Sequence, residues 1–364
     1  MSAASATRLP RWTLVAPPAA IVVLIGASVL PESKPLEVIS VIALVGAVMA
    51  AVRLAEIVAL RVGEPLGALV LSVSVTVIEI MLIVRLMLFG GRQEVALARD
   101  TVFAVIMIVC NGLIGLCLLI GGLRYREQSF TLSGASASLA TLIAIATLAL
   151  VLPNFATTAP GPFYTESQLI FAGSAALLLW GALLFMQGVR HRDYFLAPTK
   201  PGEAHPTASR APPPALTGIA LMMMLIALAA VIGLARRESP HIEAAIEFAG
   251  APKGAVGVAI AILVLLPELV SSVRDALADH VQASINEGLG AALASVGLTI
   301  PAVAFLSVYQ HSTLLLGLDA KDMVLLALTF LLLSVTFVSG RTNAMMGLVH
   351  LVVFATFVML ALVP

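Results

Sequence analysis

The sequence predicts an all-α polytopic membrane protein of about eleven transmembrane helices, with a peripheral first helix and two inverted five-helix repeats. Three observations carry this prediction. The 364-residue chain is 60% hydrophobic and only 11% charged, where soluble domains carry about 25% charged residues. Its mean hydropathy is +1.07, and apolar runs near the ~20 residues needed to span a bilayer recur along it. A Pro-rich segment interrupts these runs after the sixth, with similar patterns on either side.

The candidate spans are residues 13–30, 37–60, 65–90, 101–122, 136–153, 167–189, 216–235, 252–273, 284–309, 322–339 and 343–363. Arg8 and Arg11 precede the first, as in a signal peptide, but its apolar core is long and no A-x-A site follows, so it reads as a retained helix. The domain plan is then 1–36, tail and peripheral helix; 37–189, first repeat; 190–215, Pro-rich cytoplasmic linker; and 216–364, second repeat. The linker, RHRDYFLAPTKPGEAHPTASRAPPP, reads as flexible. With the N-terminus inside, cytoplasmic segments hold eleven Lys and Arg and outer segments seven, which favours a cytoplasmic N-terminus and an outer C-terminus. A formal net charge of zero gives no field for nucleic acid, and thin aromatic content (5%) predicts sparse interfacial belts. Cys110 and Cys117 share one apolar stretch without metal spacing and read as inert buried thiols.

Glu79 stands in the apolar run SVTVIEIMLI. A charge there costs about 2.5–3.5 kcal/mol at the centre of a membrane helix. Glu268 stands 189 residues later, and each begins a Glu-x5-Arg pattern, ending at Arg85 and Arg274. Each is followed by a loop and a helix rich in small residues. Five spans per half make the two copies run oppositely, the plan of secondary transporters, whose sites lie near the midplane at the repeat interface.

The neighbours are oxygen donors. Ser72 and Thr76 precede Glu79 on its helix face, and Ser271, Ser272 and Asp275 follow Glu268 on its own. Carboxylates with hydroxyls suit hard cations such as Ca2+, and by the same logic Na+ or K+. Pro267 removes a backbone donor beside Glu268, and a broken helix there would offer carbonyl oxygens to an ion. A carboxyl withdrawn from water favours its protonated form, whereas a bound cation favours the anion. Protons and cations thus compete for the same oxygens, as cation/proton exchange requires.

Asn111, Ser295 and Thr299 lie in the small-residue helices, as further ligands or as helix-packing polar groups. Arg85 and Arg274 lie about 240° round the helix from each Glu and read as snorkelling to the interface. Arg53 and Glu56 are spaced to pair, with Glu56 on a proton path as the other reading; His350 reads as a packed histidine.

The stretch AEIVALRVGEPLGALVLSVSVTVIEIMLI, residues 55–83, resembles the second and third helices of the CAX-type calcium/proton antiporters of the calcium/cation antiporter superfamily. Glu79 and Glu268 match that family's repeat glutamates, and SGRTNAMMGLVHLVVFA, with Arg341 and Asn343, resembles its late G-R-S-N stretch. Over roughly residues 37–360 the likeness is greatest to the bacterial ChaA-type (sodium/potassium/calcium)/proton branch. The resemblance implies an inner-membrane antiporter that works by alternating access and exports Ca2+, with Na+ and K+ as alternatives. Glu79 and Glu268 would hold the metal ion and protons by turns. Partners would be inorganic cations, protons and the lipid bilayer, with no resident cofactor; exchange of Na+ for Ca2+ is a variant. Two departures leave room for monovalent ions: Val75 and Thr76 replace the family's Gly-Asn before Glu79, and Leu265, Leu266 and Pro267 precede Glu268. The linker carries only Asp193 and Glu203, so no acidic loop is present. An intramembrane enzyme would need a motif such as H-E-x-x-H, which is absent.

Overall fold

The structure, a computed structural model, describes residues 10–30, 34–63, 70, 73–74, 76–77, 79–81, 83–84, 96–158, 161–196, 212–248 and 254–363. In chain order the helices are α1 (Arg11–Val29), α2 (Lys34–Val62), α3 (Leu97–Met107), α4 (Ile114–Tyr125), α5 (Leu132–Ala146), α6 (Glu166–Phe185), α7 (Pro214–Phe248), α8 (Gly254–Leu277), α9 (Val281–Ala294), α10 (Ile300–Tyr309), α11 (Ala320–Phe337) and α12 (Ala344–Leu362). A π-helical stretch, Ile108–Leu113, joins α3 to α4, and another, Ser295–Thr299, joins α9 to α10, so each pair is one continuous span. Among the described residues nine helices are long and apolar enough to cross a membrane. The expected 252–273 span is met by the 24-residue α8. Most of the expected 65–90 span lies outside the described residues, and those described between 70 and 84 are helical.

Two compact units form: Met1–Leu82 with Thr199–Gly250, and Ile83–Pro198 with Ala251–Pro364. Each draws on both halves of the sequence. In the first, α1 packs on α2 and α7. Its core is largely small or aliphatic: Ala20, Leu44, Ala47, Leu54, Ala220 and Ala227. Small side chains let membrane helices approach closely, where dispersion rather than water release drives association. α7 runs well past the end expected at residue 235, because apolarity marks membrane depth and not the end of a helix-forming Ala- and Glu-bearing segment.

The second unit holds the larger core, built around the α3–α4 and α9–α10 spans. Their most apolar stretches are 83% and 78% buried, against 22–44% in the other spans. α4 and α12 meet at glycines: a Cβ on Gly347 would fall 2.3 Å from the Leu119 nitrogen and 2.6 Å from the Gly115 oxygen. α6 opens on a capping box, with Gln168 Oε1 accepting from the Thr165 nitrogen at 2.9 Å.

A short antiparallel ribbon pairs β1 (Glu127–Ser129) with β2 (Arg341–Asn343). It is tied to the α8–α9 turn: Gln128 Nε2 donates to Asp279 Oδ1 at 3.0 Å, and the Thr131 nitrogen donates to Gln282 Oε1 at 2.5 Å. Asn343 ends the ribbon and caps α12, its Oδ1 accepting from the Met345 and Met346 nitrogens at 3.0 and 3.3 Å. Asn343→Ala should cost about 1 kcal/mol of stability, read as a lower melting temperature in detergent with unchanged transport kinetics.

The linker corrects one expectation. Its first residues are docked: Arg192–Phe195 form a 3-10 turn with Phe195 only 3% exposed. Asn286 Nδ2 donates to the Phe195 oxygen at 2.6 Å, and Thr131 Oγ1 donates to the Leu196 oxygen at 2.9 Å. One buried aromatic ring and two satisfied carbonyls outweigh the polar composition. Residues 197–211 lie outside the described residues.

Candidate ion-binding site

Glu268 lies on α8 with 0% of its surface exposed. The helix does not break at Pro267; it continues from Gly254 to Leu277. Proline still lacks an N–H, so it donates no helical hydrogen bond to the Leu263 carbonyl, and a long apolar helix tolerates that single loss. Ser272, one turn beyond Glu268, is fully buried, while Ser271 and Asp275 are half-buried and Arg274 is exposed. Exposure of Arg274 fits a side chain reaching for the interface.

A third acid stands beside this group. Glu287 on α9 is buried, and Ser272 Oγ donates to its Oε2 at 2.8 Å. Ser284 Oγ donates to the Ser272 main-chain oxygen at 2.8 Å, fixing α9 against α8. Glu287 is not among the residues that the sequence pattern singles out. Its signal was a charge in N-E-G, a few residues into an otherwise small and apolar helix.

Glu79 belongs to the other compact unit. It is 4% exposed, and Thr76, one turn before it, is 2% exposed. Ser72 and Arg85 lie outside the described residues.

The helical irregularity sought at Pro267 is found instead in the spans that follow. Asn111 lies in the π-helical stretch of α3–α4, and Ser295 and Thr299 lie in that of α9–α10. All three are buried. A π turn widens the helix by one residue and frees backbone geometry locally, and such turns gather at functional positions. Asn111 sits in a chain of hydrogen bonds: its Nδ2 donates to Thr329 Oγ1 at 2.8 Å, and its Oδ1 lies 3.0 Å from His350 Nδ1. His350 Nε2 lies 3.0 Å from Thr336 Oγ1. His350 is therefore packed and hydrogen-bonded. Asn111→Leu would leave His350 and Thr329 without this partner and should cost about 1–3 kcal/mol, measured by thermal unfolding in detergent.

The matched family model spans residues 36–189 and 219–363 and is described as sodium/calcium exchanger protein. The chain belongs to this family. The sodium/calcium exchanger family accounts for its many apolar spans, and the chain is a multi-pass membrane protein of the transporter class. Two relatives match end to end. One, y4hA of Sinorhizobium fredii, named as an ionic transporter, is 46% identical over 98% of this chain and 97% of its own. The other, the sodium-potassium/proton antiporter ChaA of Escherichia coli, is 30% identical over 97% of this chain and 96% of its own. The fold matches that of the Ca2+/H+ antiporter protein YfkE: its native structure gives a TM-score of 0.69 at 17% identity, covering 97% of this chain and 100% of that one.

The remaining polar positions of this exchanger have local partners. Arg53 and Glu56 form an ion pair one turn apart on α2. Arg341 is exposed in the ribbon, 4.0 Å from Glu127, and Asn343 is the α12 cap. Among the described residues no three His, Cys, Asp or Glu side chains converge as in a resident metal centre.

Proposed function

We propose that this exchanger is a proton-coupled cation antiporter in which Glu79 and Glu268 each hold cation and proton by turns. The observation that supports this reading most is the burial of both carboxylates, 4% and 0% exposed, at matching positions of two repeats in a membrane-spanning chain. A buried carboxylate in a bilayer must be neutralised before its surroundings can close around it. A proton does this, and so does a cation coordinated by carboxylate and hydroxyl oxygens, with Thr76, Ser271 and Ser272 nearest in sequence and Asn111, Ser295 and Thr299 as further oxygen donors. Only one occupant can be held at a time, so loading one releases the other. Ca2+ is the leading cargo, exported against protons across a bacterial inner membrane by alternating access, with the N-terminus cytoplasmic and the C-terminus outside. No resident cofactor is required, and no covalent chemistry is assigned.

A second reading, Na+/H+ or K+/H+ exchange on the same groups, is favoured by a specific observation. Val75, Thr76, Leu266 and Pro267 supply no side-chain amide oxygens before the two glutamates, and ChaA, the 30% identical relative, is named for sodium and potassium. Fewer oxygen ligands suit a monovalent ion. The test is reconstitution into liposomes under an imposed pH gradient, adding Ca2+, Na+ or K+ in turn while following lumenal pH. Dissipation by one cation names the cargo. If none acts on a folded preparation, proton exchange is wrong and Na+/Ca2+ exchange without protons takes its place.

A further inference from the structure

We propose that Glu287 is a positioning residue for cation binding, acting through the hydroxyl of Ser272. This rests on the reading of Glu268 as a cation-binding carboxylate. Ser272 lies one turn beyond Glu268, which is about 6 Å along the helix axis, and both are fully buried. A serine hydroxyl has one proton and two lone pairs. The Ser272 proton is committed, since Oγ donates to Glu287 Oε2 at 2.8 Å. The backbone at the same residue is held as well, because Ser284 Oγ donates to the Ser272 oxygen. What Ser272 Oγ has left to offer is lone pairs only. An oxygen with no proton to turn toward an ion is a ligand for a cation and a poor one for an anion. Donation to an anionic acceptor also strengthens that character: charge-assisted hydrogen bonds polarise the donor group, and a polarised hydroxyl oxygen is a better acceptor.

The bland alternative is that Glu287 simply joins α8 to α9. Burial argues against that as its whole role. A helix joint can be made by Ser, Thr or Asn at far lower cost than a carboxylate in a bilayer, and Ser284 already makes one here.

The experiment uses the full-length protein in liposomes and measures the cation concentration for half-maximal proton exchange, separately from the maximal rate. Ca2+ is tried first, then Na+ and K+. Glu287→Leu and Ser272→Ala should each raise the half-maximal concentration about tenfold, with the maximal rate within twofold of wild type. Glu287→Gln keeps an oxygen to accept from Ser272 and should recover much of the loss, to about threefold. Because Glu287 acts through Ser272, the double variant should be no worse than Ser272→Ala alone. The proposal is overturned if Glu287→Leu leaves the half-maximal concentration unchanged, if only the maximal rate falls, or if the double variant loses the product of the single effects. Should Glu287→Leu fail to fold, the pair Glu287→Gln and Ser272→Ala decides by the same double-variant comparison. A wild type that exchanges no protons for any cation sinks the underlying antiporter reading. A wild type that exchanges while these variants behave normally sinks the role of Glu287 alone.

Discussion

Glu268→Gln abolishes cation-driven proton exchange, by at least about a hundredfold, in a protein that folds as well as the parent: this is the largest functional effect expected. Glutamine has the shape of glutamate and keeps an oxygen acceptor. It has no exchangeable charge and cannot alternate between a proton and a cation. A hundredfold loss corresponds to about 2.7 kcal/mol, a modest demand on the interaction between a cation and a carboxylate with 0% exposure. The effect on stability should run the other way. Removing a charge from membrane depth relieves a cost of a few kcal/mol, so the melting temperature in detergent should hold or rise. That opposition separates the ion-binding reading from a structural one. A glutamate retained only to join helices would give a variant that is less stable and still active. Glu79→Gln should behave in the same way, and both are checked by lumenal pH in liposomes beside a melting curve.

Gly347→Ala should be among the most destructive single changes to the fold. The new Cβ would lie 2.3 Å from the Leu119 nitrogen and 2.6 Å from the Gly115 oxygen, well inside contact distance. Both atoms are main chain, so no rotamer change can relieve the clash. α4 and α12 must separate, and the contacts around Gly115 and His350 separate with them. Overpacking costs about 1–3 kcal/mol where side chains can adjust. Here a loss of about 3 kcal/mol or more is expected, read as a melting temperature lower by many degrees or as loss of a monodisperse peak on size-exclusion. An unchanged melting temperature would mean that the two helices are not packed as closely as this.

The spans were legible because a bilayer imposes a length: about 20 apolar residues in a row are rare except where a chain crosses a membrane. Glu79 and Glu268 were legible for a related reason, since a charge in such a run stands out. Glu287 was not, although it obeys the same rule. It lies near the start of its span, beside Asn286 and Gly288, where a polar residue looks like the end of a loop. Its meaning comes from Ser272, fifteen residues away on another helix, and helix pairing is not written in one-dimensional periodicity. The π-helical stretches at 108–113 and 295–299 left no mark in the sequence either. The sequence points to an irregularity at Pro267, because proline is the one residue that advertises a missing hydrogen bond. The docked start of the linker turned on a single ring, Phe195, set in a polar and proline-rich context.

The chain of contacts through His350 has a grammar. Thr329 Oγ1 donates to the Leu325 carbonyl at 2.8 Å, so it can only receive from Asn111 Nδ2. The amide orientation follows, which leaves Asn111 Oδ1 to receive from His350 Nδ1. The imidazole then carries its hydrogen on Nδ1, and Nε2 receives from Thr336. Every hydrogen in the sentence is spoken for, and it ends on a main-chain oxygen that can pass nothing on. A histidine buried in the middle of a membrane exchanger invites the role of proton courier. This one is punctuation: a full stop that pins three helices around the widened turn at Asn111.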